Sequence, residues 1–406
     1  MILKHLSLAR VRAFEQAEFD FQPGMNLLVG VNGAGKSTIL DTLCVLYSYL
    51  LPKITRSEDQ PIAFNDSDIQ LHRDSLEAHL SLMVSNVPFD FQIEKRQGRS
   101  RTENIKPDNP NILAPLQRQL NQPIVAYFSI RRSHPIDRDP GEKSSAGDQR
   151  SAFADALRHR ELNVREFADW WLVQEALGKE APNGPYGRRL RVLNDAVTSF
   201  LDDCHDLRAV REPQTTLVLD KGRKMLDVRM LSDGERSMIA LVLDLARRLT
   251  LANPKLDDPL REGRGVVLID EIDLHLHPRW QRTIVDKLTR TFPNCQFIAT
   301  THSPQIVGEI SPDNIILIEN GKATRPDQSL GMDTNWILRH LMGVSERDEE
   351  TKRKLENIEA LIEDEQYDAA TQKIDDLRRR LGDFPELVGL QTRIDMIQFL
   401  SDDEDE

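Results

Sequence analysis

The run Gly30-Val31-Asn32-Gly33-Ala34-Gly35-Lys36-Ser37-Thr38 fits the phosphate-binding pattern G-x-x-x-x-G-K-[ST]. Glycines at this spacing let consecutive backbone N–H groups turn inward around phosphate oxygens. A helix starting at Lys36 would aim its positive end at the same anion. Lys36 can reach the β- and γ-phosphates of a nucleotide, and the Ser37 hydroxyl can hold Mg²⁺. The expected ATP contacts are therefore Asn32, Gly33, Ala34, Gly35, Lys36, Ser37 and Thr38.

A second constellation lies far along the chain. Gly265-Val266-Val267-Leu268-Ile269-Asp270-Glu271 is an apolar run ending in two acids. That pattern reads as a buried parallel strand whose carboxyl end carries function. Asp270 is expected in the Mg²⁺ shell beside Ser37. Glu271 is expected as the general base that polarises the attacking water. His302 directly follows the buried run Gln296–Thr301, so it faces the same edge, where a neutral imidazole can contact the γ-phosphate or that water. Ser232, Gly234 and Glu235 open a long amphipathic pattern, and a Ser-capped helix start makes a further anion site.

Two other positions stay open. Arg12 can approach bound nucleotide from the leading strands, or be an exposed strand arginine. Gln70 can sense the γ-phosphate and metal, or be a surface glutamine. His275 and His277 tempt a zinc reading, but no second Cys or His pair accompanies them.

Several elements must position these groups. Ile2–Phe14 and Ala17–Phe21 read as strands, Met25–Val29 as the strand feeding the phosphate loop, and Ile39–Leu46 as the helix leaving it. Ala78–Val84 alternates like a strand, while Gln97–Asn111 is charged, proline-punctuated and expected as a loop. Pro123–Ile130 is a buried-strand candidate, followed by Arg131-Arg132-Ser133-His134 and a loop from Pro135 to Asp148. From Ser151 to Asp206 apolar stripes at helical spacing (Val164, Phe167, Trp170, Trp171, Val173; Leu190, Leu193, Val197, Phe200, Leu201) predict a helical insertion. Its Arg150, Arg158, Arg160, Arg188, Arg189 and Arg191 can bind DNA or an acidic partner, or form solvated faces. Thr215–Leu219 and Met225–Val228 flank a hairpin turn. One helix is expected over Pro278–Phe292, and Asn314–Glu319 is a closing strand. Beyond Thr351 three helical stripes precede an acidic tail, Asp402–Glu406. The resulting division is 1–95, first part of a nucleotide-binding core; 96–213, a largely helical insertion; 214–322, second part of the core; 323–406, a helical extension.

The chain has 406 residues, 29% of them charged, a net charge of −13 and a mean hydropathy of −0.47. No run of about 18 apolar residues suggests a membrane span, and the opening residues read as a strand, not a signal peptide. Cys44, Cys204 and Cys295 show neither pairing nor metal spacing, which fits a reducing, cytoplasmic setting. The negative balance argues against a generally DNA-coated surface.

Leu231-Ser232-Asp233-Gly234-Glu235-Arg236 resembles the LSGGQ signature of ABC-type ATPases, with Asp for one Gly and Glu for the Gln. That resemblance implies an α/β ABC-type ATPase head, a P-loop sheet sandwich with helices, carrying a helical insertion and a C-terminal helical extension. It implies a head-to-tail homodimer in which the signature of one subunit closes over the ATP of the other. It also places Asp273–Pro278 at the loop that touches the partner's site and makes His302 the switch histidine. Asp270-Glu271 through Pro278, with Thr301-His302-Ser303-Pro304, looks like the subgroup holding the overcoming-lysogenization-defect (OLD) nucleases, RecF and the ATPases of antiphage operons. The insertion and C-terminal helices look like the PtuA ATPases of Septu-type and related retron systems, which implies an HNH nuclease partner of the PtuB kind. After the last expected core strand no acidic strand end or H-N-H pattern suggests a nuclease site in this chain. The alternative is a RecF-like DNA-binding ATPase of repair or recombination. A coiled-coil repair ATPase would need a long heptad run, which is absent, and a transporter subunit suits neither the insertion nor the extension.

Overall fold

The computed structural model describes residues 1–99, 101–133, 147–159, 161, 163–212, 214–344 and 347–404. His134, residues 135–146 of the loop expected over 135–148, Arg160 and the last two acidic residues fall outside this set. The strands are β1 (Ile2–Val11), β2 (Phe14–Asp20), β3 (Met25–Val29), β4 (Ser75–Val84), β5 (Val87–Arg96), β6 (Thr102–Lys106), β7 (Ile124–Phe128), β8 (Cys204–Val210), β9 (Thr216–Lys221), β10 (Lys224–Asp227), β11 (Gly265–Ile269), β12 (Cys295–Thr300), β13 (Ile315–Glu319) and β14 (Lys322–Thr324). The helices are α1 (Lys36–Ile54), α2 (Pro110–Gln117), α3 (Val164–Gly178), α4 (Pro185–Phe200), α5 (Asp233–Ala252), α6 (Pro259–Glu262), α7 (Pro278–Gln281), α8 (Ile284–Thr291), α9 (Pro304–Val307), α10 (Thr334–His340), α11 (Glu349–Glu363), α12 (Tyr367–Leu381) and α13 (Pro385–Glu404).

The central sheet has the order β14-β13-β3-β12-β11-β7. Its strands from β13 to β7 run parallel, with Thr300 opposite Leu28 and Ile269 opposite both Ala299 and Phe128. Every residue of β3, β7, β11 and β12 is buried. That is why these strands read as unbroken apolar runs. The register brings the phosphate loop, Ser129, Asp270 and Thr301 to one carboxyl edge. In open α/β sheets this edge is where ligands sit.

A second sheet, β2-β1-β4-β5-β6, is antiparallel. In β4 buried and half-exposed residues alternate along the whole strand, as one covered face demands. Helix α1 packs against β4 and β5 on one side and β12 on the other. Leu40, Leu43, Leu46, Tyr47 and Leu50 are fully buried there, in one core cluster with Leu80 and Phe91 of one sheet and Leu268 and Ile298 of the other. Both sheets therefore grip the helix that carries Lys36 and Ser37.

Several elements depart from the sequence reading. The stretch 96–213 supplies strands as well as helices, and β7 within it pairs with β11 in the central sheet. Within the expected loop 97–111, residues 102–106 form edge strand β6 on β5. Only Ile105 of β6 is buried, so its polar face hid it. The helix expected over 278–292 is two pieces, α7 and α8. At the break the Thr283 hydroxyl donates back to the carbonyls of Arg279 and Trp280 and competes with the helical ladder. The hairpin turn contracts to Gly222-Arg223 between paired Lys221 and Lys224. Helices α3 and α4 pack on the small sheet β10-β9-β8. Among the basic positions, Arg150 pairs with Glu58 and Arg188 with Asp257, both exposed pairs.

Met1–Ile337 form one compact unit and Leu338–Glu406 a second. The second unit has its own core of Ile358, Ile362, Ala370, Ile374, Leu377, Leu387, Leu390 and Ile394, carried by three helices in the stretch beyond Thr351 where three helical stripes were expected.

Candidate nucleotide-binding and hydrolysis site

Strand β3 ends at Val29 and α1 begins at Lys36, so the glycine-rich run is the connecting loop. Gly35 has φ of +103° and serves as the N-cap of α1 with no side-chain cap. A Cβ there would lie 2.5 Å from the Phe14 ring, so both conformation and packing demand glycine. An uncapped helix start leaves first-turn N–H groups for a ligand. Asn32, Gly33 and Ser37 are exposed, Ala34 and Gly35 half-buried, and Lys36 and Thr38 buried. The Lys36 ammonium donates to the carbonyls of Gly30 at 2.7 Å and Val31 at 3.0 Å. Burial lowers its pKa, opposed by the charges of Asp270, Glu271 and Asp273.

Across the carboxyl edge, Ser37 Oγ lies 3.4 Å from each carboxylate oxygen of Asp270. Asp270 Oδ1 also accepts from Thr300 Oγ1 at 2.7 Å, and that same hydroxyl oxygen accepts the Glu271 N–H at 2.6 Å. Glu271 has φ of +49°, which costs a non-glycine residue about 1 kcal/mol or more. Asp273 accepts from Thr301 Oγ1 at 2.7 Å and from the His302 N–H at 3.3 Å. It ties the segment after β11 to the turn after β12 and leaves His302 exposed on the same edge.

Ser232 caps α5. Its hydroxyl donates to Glu235 Oε2 at 2.8 Å, its own N–H donates to the same oxygen at 3.0 Å, and it accepts the Glu235 N–H at 3.4 Å. This is a capping box. Glu235 also makes a close ion pair with Lys221. Burial opposes ionisation of Glu235, but the bonds from Lys221 and Ser232 outweigh it and hold the carboxyl below its ordinary value. Gly234 sits against the main chain of His275.

Arg12 pairs with Asp41 of α1 at 2.7 Å and with Asp68 at 2.9 Å. Gln70 follows the bridge between Val11 and Ile69, and its buried Oε1 has no hydrogen-bond partner. His277 N-caps α7, accepting from the Arg279 N–H at 3.3 Å. Among the described residues no group of three or more His, Cys, Asp or Glu side chains gathers as a metal site. The oxygen pair of Ser37 and Asp270 instead suits a hard cation completed by phosphate oxygens and water, as Mg²⁺ prefers. Arg132, which the sequence marked only as part of a basic run behind β7, proves to be buried against this edge. It donates to the carbonyls of Ser129 and Asp270 at 3.1 and 2.5 Å, and to that of Glu271.

A strand-loop-helix phosphate cradle, facing acids on a parallel sheet and crossed by an antiparallel sheet over α1, defines a P-loop ATPase head of the ABC type. The fold is similar to that of an SMC head crystallised with the C-terminal winged-helix domain of ScpA, with a TM-score of 0.50 at 13% identity over 81% of this chain and 99% of that one. The chain belongs to the family described as AAA domain, putative AbiEii toxin, type IV TA system, which matches residues 25–308. It is 44% identical to the retron Ec83 probable ATPase of Escherichia coli over 89% of this chain and 80% of that protein. It is 28% identical to the retron Vc95 probable ATPase of Vibrio cholerae serotype O1 biovar El Tor, over 78% and 73%. It is 22% identical to the Septu protein PtuA of Bacillus thuringiensis, over 78% and 76%. Among the described residues no helix is long and apolar enough to cross a membrane.

Proposed function

We propose that this chain is the ATP-binding and ATP-hydrolysing regulatory subunit of a bacterial antiphage defence system, which dimerises around ATP and controls a partner nuclease of the HNH class. The observation that carries the reading is the single edge holding Lys36, Ser37, Asp270, Glu271 and His302, in a chain whose relatives bear retron and Septu names. Lys36 exchanges its bonds to Gly30 and Val31 for phosphate oxygens. Ser37 and Asp270 are the donors that would hold Mg²⁺, whose charge would offset that building on the phosphates. Glu271 accepts a proton from the attacking water, and His302 contacts the γ-phosphate side. Ser232 and Gly234 close on the nucleotide of a second copy, which is why hydrolysis requires the dimer.

The test is co-expression with the neighbouring operon gene, followed by native mass measurement with and without ATP. A nucleotide-dependent assembly containing a nuclease is the expected result. A lone dimer that binds duplex DNA, with hydrolysis stimulated by DNA and binding weakened steeply by salt, would replace this reading with a repair ATPase.

A further inference from the structure

We propose that Arg132 is a positioning residue for Glu271, acting through the main chain rather than on the nucleotide; the inference rests on Glu271 being the general base. Strand pairing ends where Asp270 donates its N–H to the Phe128 carbonyl at 2.9 Å. Beyond that point the carbonyls of Asp270 and Glu271 have both left the ladder; that of Glu271 also accepts the Leu274 N–H at 2.9 Å in the turn that follows. Without Arg132 the half-buried Asp270 carbonyl would forfeit its hydrogen bond. The Arg132 guanidinium, 4% exposed, serves both carbonyls with adjacent nitrogens and takes a third bond to Ser129 within its own turn.

Both peptide groups that flank Glu271 are thereby fixed. The preceding one is held through the Asp270 carbonyl by Arg132 and through the Glu271 N–H by Thr300. The following one is held through the Glu271 carbonyl by Arg132 and through the Ile272 N–H, which donates to the Thr300 carbonyl at 2.9 Å. Two fixed planes leave φ and ψ of Glu271 no freedom, and that is how a left-handed glutamate persists here. The side chain then leaves the backbone in one direction, toward the edge shared with Lys36 and Ser37. A planar guanidinium bridges two carbonyls; a lysine ammonium is a single compact charge and cannot reproduce the fork. Burial pushes the guanidinium down to about 10, against the charges of Asp270, Asp273 and Glu271, so it stays a cation at neutral pH.

The experiment compares R132K with the parent for ATP affinity, thermal unfolding and steady-state hydrolysis, alone and combined with E271Q. R132K should lower kcat about 10- to 100-fold, the order expected when a reacting group is misplaced by about 1 Å, with ATP affinity unchanged within about twofold. R132K with E271Q should be no slower than E271Q alone, because the two act as a unit. Parental kcat in R132K, or a loss of ATP affinity that tracks its loss of rate, overturns the positioning role. Parental kcat in E271Q instead overturns the base assignment, so the two failures are separable. Where R132K does not fold, Arg132→Gln, which can serve only one of the two carbonyls, takes its place. The same kcat-selective loss is expected there, and unchanged kcat refutes the inference.

Discussion

Helices α1 and α5 both begin where the proposed site needs an anion, and they begin in opposite states. Helix α1 starts at a left-handed glycine with no side-chain cap. Helix α5 starts at a serine whose capping box is complete, with Lys221 paired to the boxed glutamate. At the first, backbone donors remain for phosphate. At the second, the chain's own carboxylate occupies the position an incoming anion would favour. A single chain therefore offers one ready cradle and one that is already neutralised. Nucleotide affinity should be set by α1, and closure by the competition at α5.

The sharpest break would come at the hydrolytic edge itself. Glu271→Gln should lower kcat by about 10²–10⁴-fold while ATP remains bound, read by steady-state hydrolysis beside nucleotide binding. Lys36→Ala removes a charged donor from the α1 cradle and should weaken ATP binding about 100-fold, given roughly 1.5–3 kcal/mol for a charged hydrogen bond, as calorimetry would show. Ser232→Arg should leave that affinity near the parent value yet abolish ATP-dependent dimerisation in light scattering. Equal losses of affinity in the serine and lysine variants would erase the division of labour between the two helices.

The smallest effect tests the capping box directly. Glu235→Gln should cost about 1 kcal/mol of stability at neutral pH. The Glu235 carboxyl titrates below its ordinary value of 4.5 in the folded chain. Its stabilisation is therefore fully present above about 4.5 and is lost as pH falls through the folded value. The difference between parent and variant in urea unfolding should accordingly vanish in acid. A difference that grows as pH falls would contradict the assignment.

How much of this was legible depended on whether the signal was local. The phosphate loop, the apolar run into Asp270-Glu271 and the stripes of Ile358, Ile374 and Ile394 are each written in a few neighbouring residues, and the structure builds the elements they predict. The place of β7 beside β11 is not, because Ile124 and Gly265 meet only after a long excursion of chain. For the same reason nothing local singles out Arg132 within the run Arg131-Arg132-Ser133-His134 behind a strand; its place exists only once β7 and β11 are in register. Helix breaks such as Thr283 turn on one hydroxyl's choice of partner, to which apolar periodicity is blind. The residue roles proposed for Arg12 and Gln70 find structural neighbours in Asp41, Asp68 and the main chain around Arg10, which neither strand patterning nor composition names.

Gly234 carries one further consequence. A Cβ at this position would stand 2.6 Å from the His275 carbonyl oxygen, so the first turn of α5 and the segment leaving Glu271 touch with no slack between them. Close-packed surfaces of this kind transmit displacement instead of absorbing it. A second molecule leaning on α5 would be felt at the acids, and a change at the acids would alter how tightly that molecule is held, by the same free energy in both directions. A single hydrogen atom where other residues have a methyl group would thus serve as the bearing between assembly and chemistry.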